Sequence, residues 1–332
     1  MRHLLVPLDG SGFGESALWL AAAIARRKGT KLELVTVHPA AVNPDISASV
    51  MAEIEAMSRA YTRTYLEGLA KQVHGRFHIE VSTTVPEGAA ATTIVEHAQA
   101  DPPELIVMTT HGRSGPSRHF LGSVADRLLR ELHCPFLLVR PATKAVTSEL
   151  PSAVRVLVPL DGSALAESVI DEVARLFSPS QVVLHLVRVV APAEVFPIGA
   201  PMPLPPAGRN LTEVRLASAQ RYLEGTAWTL RKAGWHVEHE VVTAWTPSAV
   251  ILSSAEAHRC DLIAMATRGL GGIKRMFLGS VADKVIRGAT TPVLVVNPVA
   301  GAFSPTLGES LETASEPQRI MVAGPLTEQL AH

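Results

Sequence analysis

The feature that most constrains this chain is a segment that occurs twice. Residues 105–130 read LIVMTTHGRSGPSRHFLGSVADRLLR, and residues 262–287 read LIAMATRGLGGIKRMFLGSVADKVIR. Gly112, Gly115, Arg118 and Gly122 recur as Gly269, Gly272, Arg275 and Gly279, and the run FLGSVAD is identical in both. Each copy passes from an apolar run through a glycine-bearing loop into a helix start. Such a loop leaves backbone N–H groups unpaired at the positive end of a helix dipole, with room for close approach, which suits a phosphate.

The duplication extends beyond this segment. Residues 3–8 end at Asp9-Gly10-Ser11, and residues 155–160 end at Asp161-Gly162-Ser163, an offset of 161 − 9 = 152. Further apolar runs follow at residues 31–38, 77–85, 105–109 and 135–139, and again at 181–190, 235–243, 262–266 and 292–296. Helical patterns separate them, at about 15–28, 48–73, 89–99 and from 124, then at 211–232, 247–258 and from 281. The offset grows to 269 − 112 = 157, so a net insertion of five residues falls around the proline-bearing stretch 191–208 or the helix after it. Uninterrupted apolar strands alternating with helices predict an α/β fold, a parallel sheet covered on both faces, twice. The expected domains are 1–141 and 154–298, joined by a linker at 142–153. Residues 299–332 form a largely irregular tail, with one short apolar segment at 320–322.

Composition limits the function. With 30 basic against 31 acidic residues and a formal net charge of -1, nothing points to a nucleic-acid or membrane surface as partner. The N-terminal apolar run is interrupted at Pro7 and Asp9, too early for a secretory signal, and no apolar stretch approaches a membrane span. A cytoplasmic location is the expectation. Cys134 and Cys260 lack ligand or CxxC spacing and read as buried free thiols.

Several residues admit both a ligand-binding and a local structural reading. Asp9 and Asp161 stand at the C-terminal ends of the first strands, where open α/β sheets bind ligands, yet either also suits an Asx turn. Ser123 and Ser280, each with an Asp three residues on, fit a capping-box-like helix start as well as a phosphate contact. Arg118 and Arg275 are either forked phosphate donors or solvated loop cations. The histidines show no metal-ligand spacing, so no metal site is expected, and no serine has a Gly-x-Ser-x-Gly context. Absence of G-x-x-x-x-G-K-[ST] and of a G-x-G-x-x-G after the first strand excludes P-loop and dinucleotide-dehydrogenase readings.

These residues resemble the universal stress protein family in its tandem, two-domain form. Its signature, Gly-x2-Gly-x9-Gly-[Ser/Thr] after the fourth strand, is matched at Gly112 and Gly122-Ser123, and again at Gly269 and Gly279-Ser280, with Thr109 and Ala266 replacing the leading glycine. Pro7-Leu8-Asp9 and Pro159-Leu160-Asp161 match the first strand's Pro-x-Asp. The resemblance implies two doubly wound domains, each a five-stranded parallel sheet of order 3-2-1-4-5 flanked by helices. It implies ATP or a related adenine nucleotide as ligand, with or without magnesium, bound without efficient turnover. The residues carried over are Pro7, Asp9, Val37, Met108, Thr109, Gly112, Gly122, Ser123 and Val124 in the first copy. In the second they are Pro159, Asp161, Val189, Met265, Ala266, Gly269, Gly279, Ser280 and Val281. No catalytic residue is assigned. Pairing through the last strands is implied too, within the chain as a pseudo-dimer or between chains as a homodimer. The alternatives are a nucleotide-free interaction module, suggested by Thr109 and by Trp245 in place of Gly88, and a slow ATPase.

Overall fold

The computed structural model describes residues 3–39, 47–110, 121–140, 150–192, 211–267 and 278–296. Gly112, Gly115, Arg118, Gly269, Gly272 and Arg275, most of the linker, residues 193–210 and the tail with its 320–322 segment lie outside them. The first half runs β1 His3–Pro7, α1 Gly12–Lys28, β2 Lys31–Val35, α2 Ala48–Phe77, β3 Val81–Thr84, α3 Ala90–Ala100, β4 Leu105–Thr109, α4 Ser123–Glu131 and β5 Phe136–Val139. The second runs β6 Val154–Pro159, α5 Ala164–Leu176, β7 Val182–Val190, α6 Leu211–Lys232, β8 His236–Thr243, α7 Pro247–Ala257, β9 Leu262–Ala266, α8 Ser280–Gly288 and β10 Val293–Val296.

The strands form one ten-stranded sheet, ordered β3-β2-β1-β4-β5-β10-β9-β6-β7-β8. Within each half every pairing is parallel, in the order 3-2-1-4-5. The halves join where β5 and β10 pair antiparallel, Leu137 opposite Leu294 and Phe136 opposite Val295. Parallel strands covered on both faces need no polar side, which is why Leu4, Leu5 and Val6 are all fully buried in succession. Alternate residues then serve alternate faces. Leu5, Ile106, Phe136, Leu157, Ile263 and Val295 join α3, α4, α7 and α8 in one apolar cluster that crosses from one half to the other.

Two boundaries differ from the sequence expectation. β2 stops at Val35, and His38 makes only an isolated bridge to Glu87. The third strand of the first half starts at Val81, because α2 continues to Phe77, which is buried and stacks on Trp19 at 6.4 Å. His78 then turns the chain in the left-handed region at φ 55. The five-residue insertion precedes α6, since Tyr65 bonds Glu15 just as Tyr222 bonds Glu167, and 222 − 65 = 157. At the third strands the register slips by one: Thr84 faces Val35 and Glu240 faces Val187, and 240 − 84 = 156.

Cys134 is half-buried and Cys260 buried, both as free thiols. Burial pushes their pKa values up to about 12 and about 11.

Candidate functional site

Each half has a C-terminal strand edge where the chain leaves β1 or β6 and where α4 or α8 begins. In the first half Asp9 follows β1 and is half-buried. Its Oδ1 accepts from Ser11 N at 3.0 Å and Ser11 Oγ at 2.6 Å, and Ser11 Oγ in turn accepts from Gly14 N at 3.2 Å to cap α1. Asp161 repeats this with Ser163 N at 3.0 Å, Ser163 Oγ at 2.6 Å and Ala166 N on Ser163 Oγ at 3.1 Å. The Asx-turn reading is therefore realised at both positions, and it fixes each carboxylate's orientation at the strand edge. The turns require Gly10 at φ 77 and Gly162 at φ 87.

The helix starts differ from the capping-box reading. Gly122 and Gly279 are the caps, and Ser123 and Ser280 are the first helical residues, both exposed. Among the described residues neither helix has a side-chain cap, and Asp126 and Asp283 bond Arg130 and Arg287 at 2.8 Å one turn onward rather than reaching back. Helix geometry leaves the amides of Ser123, Val124 and Ala125, and of Ser280, Val281 and Ala282, without acceptors inside the helix. The cap glycines are anchored from behind: Gly122 N donates to Thr110 O at 2.8 Å, and Gly279 N to Thr267 O at 2.6 Å. Thr110 N and Thr267 N donate to Val139 O and Val296 O, tying each helix mouth to the last strand. With φ −59 and φ −67, Gly122 and Gly279 have torsions any residue adopts, so the backbone itself does not call for glycine there.

Other residues named from the sequence fall on the same edges. Pro7 and Pro159 end the first strands, and Met108, Thr109, Met265 and Ala266 end the fourth. Val37 lies two residues past β2, whereas Val189 is still within β7. Val124 and Val281 are half-buried, packed on the shared apolar cluster. Trp245 is 60% exposed, so its ring is not packed into the second edge.

One residue here has no sequence signal. Arg188, on β7, places its guanidinium 2.8 Å from where a Cβ on Gly162 would stand, and lies over the Tyr222 ring at 4.6 Å. Its counterpart in the first half is Thr36, since 188 − 152 = 36. Among the described residues, a cation therefore stands beside the Asp161–Ser163 turn of the second half, where the first half has Thr36.

Two doubly wound α/β units, each with an oriented carboxylate and a helix start at one strand edge, define the class of fold. The sequence comparisons narrow it. The model of the universal stress protein family matches residues 1–140 and 154–297, and the chain belongs to that family. A universal stress protein of Mycolicibacterium smegmatis is 27% identical over 300 residues, covering 89% of this chain and 97% of that one. One from Methanocaldococcus jannaschii is 31% identical over 145 residues, covering 43% of this chain and 84% of its own. Among solved structures, a universal stress protein from Archaeoglobus fulgidus superposes with a TM-score of 0.64 at 20% identity, over 89% of this chain and 98% of that chain.

Proposed function

We propose that each half receives an adenine nucleotide, ATP being the expected ligand, at the C-terminal edge of its strands. Occupancy then biases conformation or assembly in a stress-response role and does not drive efficient turnover. The observation that carries the reading is the uncapped, glycine-led start of α4 and α8, repeated with the same anchoring in both halves. Amides left open at a helix start, with the dipole behind them, fit a phosphate chain. The oriented Asp9 and Asp161 fit a ribose hydroxyl, and the apolar Pro7, Val37 and Met108, or Pro159, Val189 and Met265, fit a base. Magnesium would accompany the triphosphate. Arg188 adds positive charge to the second edge, so the more highly charged nucleotide is expected to bind there more tightly.

The protein is expected to act in the cytoplasm, consistent with two free thiols and with no described helix long and apolar enough to cross a membrane. A second reading, an interaction module, is favoured by one observation. Val50, Ile54, Met57 and Tyr61 form an exposed stripe on the first turns of α2, with Met57 74% and Tyr61 78% exposed. Mass spectrometry of small molecules released from the denatured, freshly purified full chain tests the first reading. Retained ATP or a related adenine nucleotide is expected; an empty protein that also takes up no ATP on titration would leave the second.

A further inference from the structure

We propose that His185, Glu240 and His258 form a binding site for a divalent transition-metal ion, with zinc as the reference ion. His185 lies in β7, Glu240 in β8 beside it, and His258 at the C-terminal cap of α7. One ligand atom from each lies within 4.8 Å of the other two. His185 Nε2 is 3.3 Å and His258 Nε2 3.8 Å from the same oxygen, Glu240 Oε1. Zinc bonds of about 2.1 Å in a tetrahedral site separate neighbouring ligand atoms by about 3.4 Å. A good N–H···O hydrogen bond is shorter, about 2.9 Å. The His185–Glu240 contact is a long hydrogen bond that already stands near ligand spacing, and the two imidazoles lie with ring centroids 3.8 Å apart.

The first half supplies an internal contrast. Glu33 takes the place of His185 and Thr84 that of Glu240. There one buried carboxylate sits between two imidazoles, accepting from Thr84 Oγ1 at 2.7 Å with His97 Nε2 at 2.9 Å and His3 Nε2 at 3.2 Å. That arrangement gathers its donors and imidazoles around a single carboxylate. In the second half the buried member is an imidazole facing another imidazole, and two adjacent imidazolium rings would repel each other. An ion accepting a lone pair from each ring and the negative charge of Glu240 satisfies all three groups.

The surroundings fit ligands being held in place. Ser254 Oγ donates to Glu240 Oε1 at 2.6 Å. Among the described residues His185 Nδ1 is buried without a hydrogen-bond partner, and it faces Glu238 Oε2 at 3.5 Å, itself 3.4 Å from Arg155 Nη1. A carboxylate behind the far nitrogen of a histidine is the usual outer partner of a metal ligand, and it directs the lone pair of Nε2 inward. The His185 side chain is 4% exposed, whereas those of Glu240 and His258 are 30% and 36% exposed. The site is walled by the sheet on one side and open to solvent on the other, leaving a fourth position for water or a further ligand.

The test uses the full chain, stripped with a chelator and titrated without nucleotide, so its result is independent of the nucleotide reading. Zinc is titrated against a chromophoric chelator, and cobalt is followed by the visible absorption of a four-coordinate ion. One ion per chain is expected, with a rise in melting temperature. His258→Ala and Glu240→Gln should each weaken binding at least about 10–100-fold, the loss that an outer partner alone can produce. His97→Ala, in the first half, should leave it unchanged. Circular dichroism confirms that the half-exposed His258→Ala variant remains folded. Absence of saturable binding, or binding unaltered in both second-half variants, overturns the proposal.

Discussion

His78 holds a left-handed torsion, φ 55, with an exposed side chain, at the turn where the second half uses Gly234 at φ 89. A side chain in that region costs about 1–2 kcal/mol, partly offset in a glycine variant by unfolded-state entropy. His78→Gly is therefore expected to stabilise the fold by about 0.5–1 kcal/mol, measured as a higher urea midpoint at unchanged slope. Glu33 makes a second residue-scale prediction. Hydrogen bonding from His3, with Thr84 and His97 adding to it against the cost of burial, holds its carboxyl at about 2, below the ordinary 4.5. A carboxylate with a lowered folded-state pKa stabilises fully above its unfolded value and loses that contribution as pH falls through the folded value. Stability should decline between pH 4.5 and about 2, and Glu33→Gln should flatten that part of the urea midpoint against pH curve. Among candidate site residues, the strand-end place of Asp9 and Asp161 and the helix-start place of Gly122 and Gly279 were legible because those signals are local. Arg188 and the His185–Glu240–His258 group were not, because each depends on segments brought together by the fold, 188 − 162 = 26 residues apart for Arg188 and Gly162 and 240 − 185 = 55 for His185 and Glu240.

At the scale of elements, apolar runs such as LIVMT and LIAMA could hardly be other than buried strands. The third strand of the first half was harder: Phe77, Ile79 and Val81 alternate like a strand, but Phe77 and Ile79 are buried as the end of α2 and its turn. The capping-box alternative at α4 does not form, for a related reason. Asp126 and Arg130 are spaced for an ion pair along the helix, which competes with reaching back to the cap. The most consequential element is β5, which carries the contact between halves. Phe136 is fully buried opposite Val295, so Phe136→Ala should cost about 3–5 kcal/mol. Because the sheet and the apolar cluster continue from one half to the other, the loss should appear in a single calorimetric transition. Two separated transitions in the unmodified chain would contradict that continuity.

Across the whole molecule, the antiparallel β5–β10 pair reverses the strand direction between halves. The two C-terminal edges, and with them the two candidate nucleotide sites, therefore face opposite ends of one sheet. Each site is tied to the central pair by the hydrogen bonds through Thr110 to Val139 and through Thr267 to Val296. On the proposed function, an anion that orders one helix start would act on a strand that the other half shares, a physical route for coupling. The duplication was legible in the sequence; the opposed orientation was not, since it depends on how the last strands meet. The central claim is tested most directly by calorimetric titration of the full chain with ATP. Two sites are expected, falling to one in Gly122→Val or Gly279→Val and to none in the double variant, with circular dichroism confirming that each variant remains folded despite a less favoured helix cap. Binding that persists at full stoichiometry in the double variant would contradict it.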